Sequence, residues 1–203
     1  MSTIIHYVRH ASYENPGLLI PGRIPGYHLN DEGREKARKT GEFFKNKPIK
    51  FIYSSPLERA YETANLIGEY LPEAKIIHAY DLIEIDAANW QAYKVEELFT
   101  NNYYEDFMNN PDTSELPENL NKLASRMKSF TFTLCKKHSE QEVICVSHEF
   151  PILCHLKILG KSLQFHASCD GLFHEHRIGQ THPDIHSEYL QKSFSKILGL
   201  KGP

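Results

Sequence analysis

Glu142-Val143-Ile144-Cys145-Val146-Ser147-His148 is the stretch on which the fold turns. Its centre is an unbroken apolar run, rich in β-branched residues and bounded by polar ones. A strand that is apolar on both faces is buried on both, which puts it at the centre of a sheet covered by helices. Ile4-Ile5-His6-Tyr7-Val8 reads as a second strand and runs on into Arg9-His10. Phe51-Ile52-Tyr53-Ser54 and the segment from Ala74 to Ala79 read as two more.

Helical patterns lie between them. Asn30 or Asp31 caps a helix running to about Phe44, with Ala37, Gly41 and Phe44 on one face. Ser55 is expected to cap the next helix, with Pro56 in its first turn, where a missing N–H costs nothing. Leu57, Tyr61, Ala64 and Ile67-Gly68 trace its expected buried side. Further helices are expected over Pro117 to Lys137, over 150 to 159 and, as a short amphipathic piece, over Glu188 to Leu198. Strands alternating with helices predict an α/β fold: a three-layer sandwich with a mostly parallel central sheet flanked by helices. The length of 203 residues fits one domain over 1–203, with the polar, Asn- and Pro-containing stretch around 86–121 as a variable cap or lid.

The formal net charge of −3 gives no basic excess, so nucleic acid is not an expected partner. No apolar run approaches the ~20 residues of a membrane span. Arg9 and His10 interrupt the apolar start before it reaches the ~7–15 residues of a signal-peptide core, so a cytoplasmic location is expected. Cys135, Cys145, Cys154 and Cys169 show no CxxC spacing and are expected as free thiols. The 12 histidines leave three readings open: a metal site, phosphate chemistry, or surface residues without a role.

Position sorts the histidines better than number. Two strands end alike, in Val8-Arg9-His10 and Val146-Ser147-His148. In open α/β sheets ligands bind beyond the carboxyl ends of the strands, so both imidazoles would meet at that crevice. The helix after Ser54-Ser55 starts at the same end and carries Arg59 in its first turn. A cation opposes the dipole there, which an anion held between the helix end and Arg59 would explain. A plain salt bridge to Glu58 or Glu62 is the alternative. Arg9 and Arg59 together suit bidentate capture of a phosphate.

Val8-Arg9-His10-Ala11, the run Ser54-Ser55-Pro56-Leu57-Glu58-Arg59-Ala60-Tyr61-Glu62-Thr63-Ala64, and Val146-Ser147-His148 resemble the three motifs of the histidine phosphatase superfamily, the phosphoglycerate mutase-like family of branch 1 type. Asp81-Leu82-Ile83-Glu84-Ile85-Asp86 is similar to its acid motif. The likeness covers about residues 4–157, and the second motif is its most specific part. It implies His10 as a nucleophile that becomes phosphohistidine. Arg9, Arg59 and His148 would hold the phosphoryl group, and Asn15 would contact it from the following loop. Glu84 would protonate the leaving group and then activate water. No cofactor and no metal is implied. The expected partner is a small phosphorylated substrate, with a homodimer left open as the assembly.

Two positions depart from the family pattern. Ala11 stands where glycine usually follows the nucleophile, and Glu149 follows His148 where glycine is frequent. A carboxylate facing the pocket would repel phosphate, so Glu149 is expected to point away or to select a cationic substrate group. Tyr13, Glu14, Tyr27, His28 and the 86–112 region with Trp90, Tyr103 and Tyr104 either wall the pocket or simply cover the core. His166, His174, His176, His182 and His186 are expected to be surface or packing residues. The leading expectation is a phosphomonoesterase acting through phosphohistidine. Phosphoglycerate mutase-type transfer, a non-catalytic phospho-ligand module and a histidine-ligated metallohydrolase are the alternatives.

Overall fold

The protein is described here from a computed structural model, which covers residues 3–100, 106–107, 109–110, 112–113, 116–159, 164–168 and 171–177. Its sheet has strands β1 (Ile4–Arg9), β2 (Ile49–Ser54), β3 (Lys75–His78), β4 (Glu142–Ser147), β5 (Gln164–Ser168) and β6 (Gly171–Arg177). Their spatial order is β3-β2-β4-β1-β6-β5. β3, β2, β4 and β1 run parallel. β6 lies antiparallel to β1, and β5 antiparallel to β6. The apolar strand β4 is thus interior, as its two-sided hydrophobicity requires.

Five helices belong to the described residues: α1 (Asp31–Phe44), α2 (Glu58–Gly68), α3 (Val95–Thr100), α4 (Leu120–Lys137) and α5 (Glu149–Leu159). Because successive strand side chains point to opposite faces, the sheet builds a core on each. Ile5, Tyr7, Val143 and Cys145 pack with Leu123, Met127 and Leu134 of α4. Val8, Ile144 and Val146 pack with Phe44 of α1 and Ala60, Ala64 and Ile67 of α2. These are the three layers of the expected sandwich. Among the described residues no helix is long and apolar enough to cross a membrane.

Several boundaries moved for identifiable reasons. α4 begins at Leu120 because the Asn119 side chain accepts from Lys122 N–H and so caps the helix there. α2 begins at Glu58 with Leu57 in the cap position and no side-chain cap. Ser55 is therefore not the cap residue; its hydroxyl accepts from Leu57 N–H at a long 3.4 Å and has a second, closer partner described below. Tyr61 is not on the buried side: it is 36% exposed, and its ring lies on His78. Ala60, Thr63, Ala64 and Ile67 form that side instead. Trp90 packs edge-on against Phe107 at 5.1 Å, as core rather than pocket wall. Cys135, Cys145 and Cys154 form no disulfide among the described residues. The expected helix at Glu188–Leu198, with Cys169, His182, His186, Tyr103 and Tyr104, lies outside the described residues, as do the side chains of His166, His174 and His176.

One glycine fixes the loop that follows β1. A Cβ at Gly33, in the first turn of α1, would lie 1.9 Å from the Ser12 carbonyl oxygen. Ser12 O in turn accepts from Asn30 N–H. Gly33→Ala is expected to push this loop off the helix and destabilise the fold by about 1–3 kcal/mol, as overpacking does. Urea unfolding of the two proteins measures the difference.

Candidate active site

The carboxyl ends of β1, β2 and β4 are tied together by backbone hydrogen bonds. His10 N–H donates to Ser147 O, and Ser55 N–H donates to Val146 O, each at 2.9 Å. These bonds bring His10, Ser55 and His148 to one point of the sheet edge. The His10 and His148 ring centroids are 5.1 Å apart.

His10 has a defined tautomer. Its Nδ1 lies 2.9 Å from Ala11 O, a group that only accepts, so Nδ1 carries the proton and Nε2 keeps a lone pair. Burial, then the Arg59 and Arg9 charges, hold the imidazole well below its ordinary pKa. Arg59 reaches Nε2 from its Nε at 3.3 Å, and donates from a terminal nitrogen to Gly22 O at 2.9 Å. Gly22 has φ +47°, and a Cβ there would meet Gln91 at 2.6 Å, so glycine allows both the turn and the close approach. Tyr13 closes the opposite side. Its ring is 5.3 Å from His10, the Arg59 guanidinium carbon lies 5.6 Å from its centroid, and Tyr27 packs behind it. Arg59 is 1% exposed and bridges neither Glu58 nor Glu62. Glu58 accepts from Gly26 N–H, while Glu62 takes His28 and Leu29 N–H.

His148 is fully buried, and its Nε2 lies 2.7 Å from Ser55 Oγ. This is where the Ser55 hydroxyl went. Burial, then Arg59 and His10, depress the His148 pKa well below its ordinary value. Its Nδ1 has no partner, nor do Arg59 Nη1 and Arg9 Nε, although all three are buried. Unpaired buried nitrogens of this kind are costly, and three of them at one place, two of them arginine donors, mark a site built for a polar ligand.

Glu84 completes the group. Burial, opposed by Arg59, raises its carboxyl to about 7. Its segment is gripped carbonyl by carbonyl. Arg126 donates to Asp81 O and Ile83 O, Ser147 Oγ to Leu82 O, and Arg23 Nε to Glu84 O. Glu118 joins the two arginines, accepting from Arg126 and from Arg23. Thr63 links the other side, accepting from Ala11 N–H and donating to Arg59 O. Ser55, Thr63, Arg23, Glu118 and Arg126 escape sequence reading because their partners are far along the chain. The Ser-Ser pair before Pro56 was a signal, but one that reads first as a helix cap.

Arg9, His10, Arg59, Glu84 and His148 thus converge. Asn15 does not join them. Both ends of its amide close its own loop, Nδ2 donating to Leu19 O and Oδ1 accepting from Leu19 N–H. Glu149 does not point away: its Oε2 lies 2.9 Å from Arg9 Nη2. Among the described residues no cluster of His, Cys, Asp or Glu could hold a metal ion.

The family model described as Histidine phosphatase superfamily (branch 1) matches residues 5–171. The chain belongs to the histidine phosphatase superfamily. Phosphoserine phosphatase 1 of Hydrogenobacter thermophilus is 35% identical over 156 residues, 71% of this chain and 70% of that protein. Phosphoglycerate mutase-like protein 4 of Arabidopsis thaliana is 29% identical over 70% of this chain and 64% of that one. The crystal structure of phosphoserine phosphatase from Entamoeba histolytica in complex with 3-phosphoglyceric acid superposes with a TM-score of 0.65 at 25% identity, covering 76% of this chain and 78% of that chain. This histidine phosphatase therefore has the fold of its relatives and is a phosphatase of that family.

Proposed function

We propose that the protein hydrolyses a small phosphomonoester through a phosphohistidine on His10. The observation that carries this reading is the His10 tautomer: a neutral imidazole whose Nδ1–H is fixed by Ala11 O and whose Nε2 lone pair sits among unpaired donors. Nε2 attacks phosphorus as the ester oxygen leaves. Arg9, Arg59 and the His148 Nδ1 surround the three equatorial oxygens, where charge builds in the loose transition state. A Ser55 hydroxyl that donates to Nε2 of His148 keeps the proton on its Nδ1, the atom that faces the ligand in this reading.

Glu84, with its carboxyl raised to about 7, is protonated in part of the molecules near neutrality and donates to the leaving oxygen. The resulting carboxylate then takes a proton from the water that attacks the phosphohistidine. The cycle returns both groups to their starting state. Arg23 and Arg126, the neighbouring arginines, are occupied by Glu118, Asp86 and backbone carbonyls. That favours hydrolysis over a mutase reaction, which must hold a second phosphate.

Rapid quenching of the enzyme with radiolabelled substrate tests the reading. An acid-labile, base-stable phosphoprotein that forms before steady turnover is the expected result. Tight phosphate binding without turnover over a substrate panel supports the non-catalytic module instead.

A further inference from the structure

Besides Glu84, whose carboxyl is raised to about 7, Glu149 is a second acidic group at the site that works against a phosphate, and it is half-satisfied. It opens α5 directly after His148, and its side chain is only 14% exposed. One oxygen meets Arg9 Nη2 at 2.9 Å. The other, Oε1, is buried without a partner, and so is Arg9 Nε. A structural Arg–carboxylate pair ordinarily closes as a fork with two parallel bonds. Here a single contact leaves an acceptor and a donor vacant beside the reacting group.

The charge balance gives that vacancy a meaning. A phosphate monoester carries about −1.5 to −2 near neutrality, and Arg9 and Arg59 together offset it. Glu149 removes one of those two positive charges, while Arg126 is already neutralised by Glu118. When the phosphate takes Arg9, the Glu149 carboxylate is left buried beside a dianion. A substrate that brings its own cation restores the balance and fills the vacant Oε1.

On the phosphatase reading above, we infer that Glu149 is a specificity residue that receives the ammonium group of a phosphorylated amino alcohol or amino acid. Arg9 touches Glu149 and also reaches the phosphoryl site, so the carbon linker between ester oxygen and ammonium is short.

The test uses two near-isosteric pairs that differ in ammonium against hydroxyl: O-phosphoserine against 3-phosphoglycerate, and O-phosphoethanolamine against 2-hydroxyethyl phosphate. In the unaltered enzyme kcat/KM is expected to favour the ammonium member of each pair by about tenfold or more, the worth of a hydrogen bond to a buried charge. Glu149→Gln is expected to lower kcat/KM for the ammonium substrates and raise it for the hydroxyl ones, since Arg9 is released to the phosphate. A folding defect cannot move the two in opposite directions. Equal rates within each pair in the unaltered enzyme, or a preference that survives Glu149→Gln, overturns the assignment. If neither these four compounds nor 4-nitrophenyl phosphate is turned over, the proposed phosphohistidine hydrolysis fails separately. Calorimetric binding of O-phosphoserine against 3-phosphoglycerate, with and without Glu149→Gln in a His10→Ala background, then still decides the role of Glu149.

Discussion

His10→Ala is expected to reduce hydrolysis of 4-nitrophenyl phosphate by on the order of 10⁴-fold or more, as loss of a covalent nucleophile does. The same variant is expected to form no acid-labile phosphoprotein. The fold should survive, because His10 lies beyond β1, and its backbone bond to Ser147 O needs no side chain. The change also removes a ring that Arg59 and Tyr13 touch, so phosphate affinity has to be measured beside the rate. An inert variant that still binds phosphate separates chemistry from binding. Turnover at the unaltered rate would exclude His10 as the nucleophile and return the site to activated-water chemistry.

Glu84→Gln should divide substrates by leaving group. Alkyl phosphates need a proton on the departing oxygen, and loss of a general acid costs them about 10²–10⁴-fold. A nitrophenolate leaves unaided, so its phosphorylation step should slow far less. Uniform slowing of both classes would argue against the acid role. In the unaltered enzyme, kcat/KM for an alkyl phosphate should fall as pH rises through about 7, where Glu84 loses its proton.

The same group makes stability depend on pH. Its carboxyl titrates near 4.5 when unfolded and near 7 when folded. Between those values the native state holds more protons, so stability falls as pH rises, by about 1.4 kcal/mol per unit. Above 7 both states are ionised and the loss is complete. Glu84→Gln removes this slope, and its unfolding midpoint should exceed that of the unaltered protein more at pH 8 than at pH 5. Denaturant titrations at the two values check the sign. A variant that is more stable and less active fits a carboxyl kept buried for chemistry.

The chain alone determined the layers, because their information is local. A run such as Val143 to Val146 has no exposed face, and α1 and α2 each show one apolar side, so the sheet and its covering follow from periodicity. The same locality placed Arg9, His10 and His148 at strand ends and Arg59 at a helix start. It failed where one side chain had a choice of partners. Ser55 can cap a helix in sequence, yet in space His148 offers it a buried partner. Asn15 lies in the right loop, yet its amide closes that loop on Leu19 and meets the Tyr13 side chain. Tyr61 has helical spacing, yet the face that turns inward is set by Ala60 and Ala64, which are small enough to meet the sheet.

Only the tertiary structure decided the state of Glu84 and Glu149. A carboxyl's proton affinity depends on burial and on charges brought from elsewhere in the chain, and neither is written beside it. Arg23 and the Glu118–Arg126 stretch hold the segment of Glu84 from two separate regions. Glu149 met Arg9 because β1 and β4 are neighbours, pairing Arg9 with Ser147. Sequence named the groups that converge at the strand ends; the pairing of strands set which charges they feel.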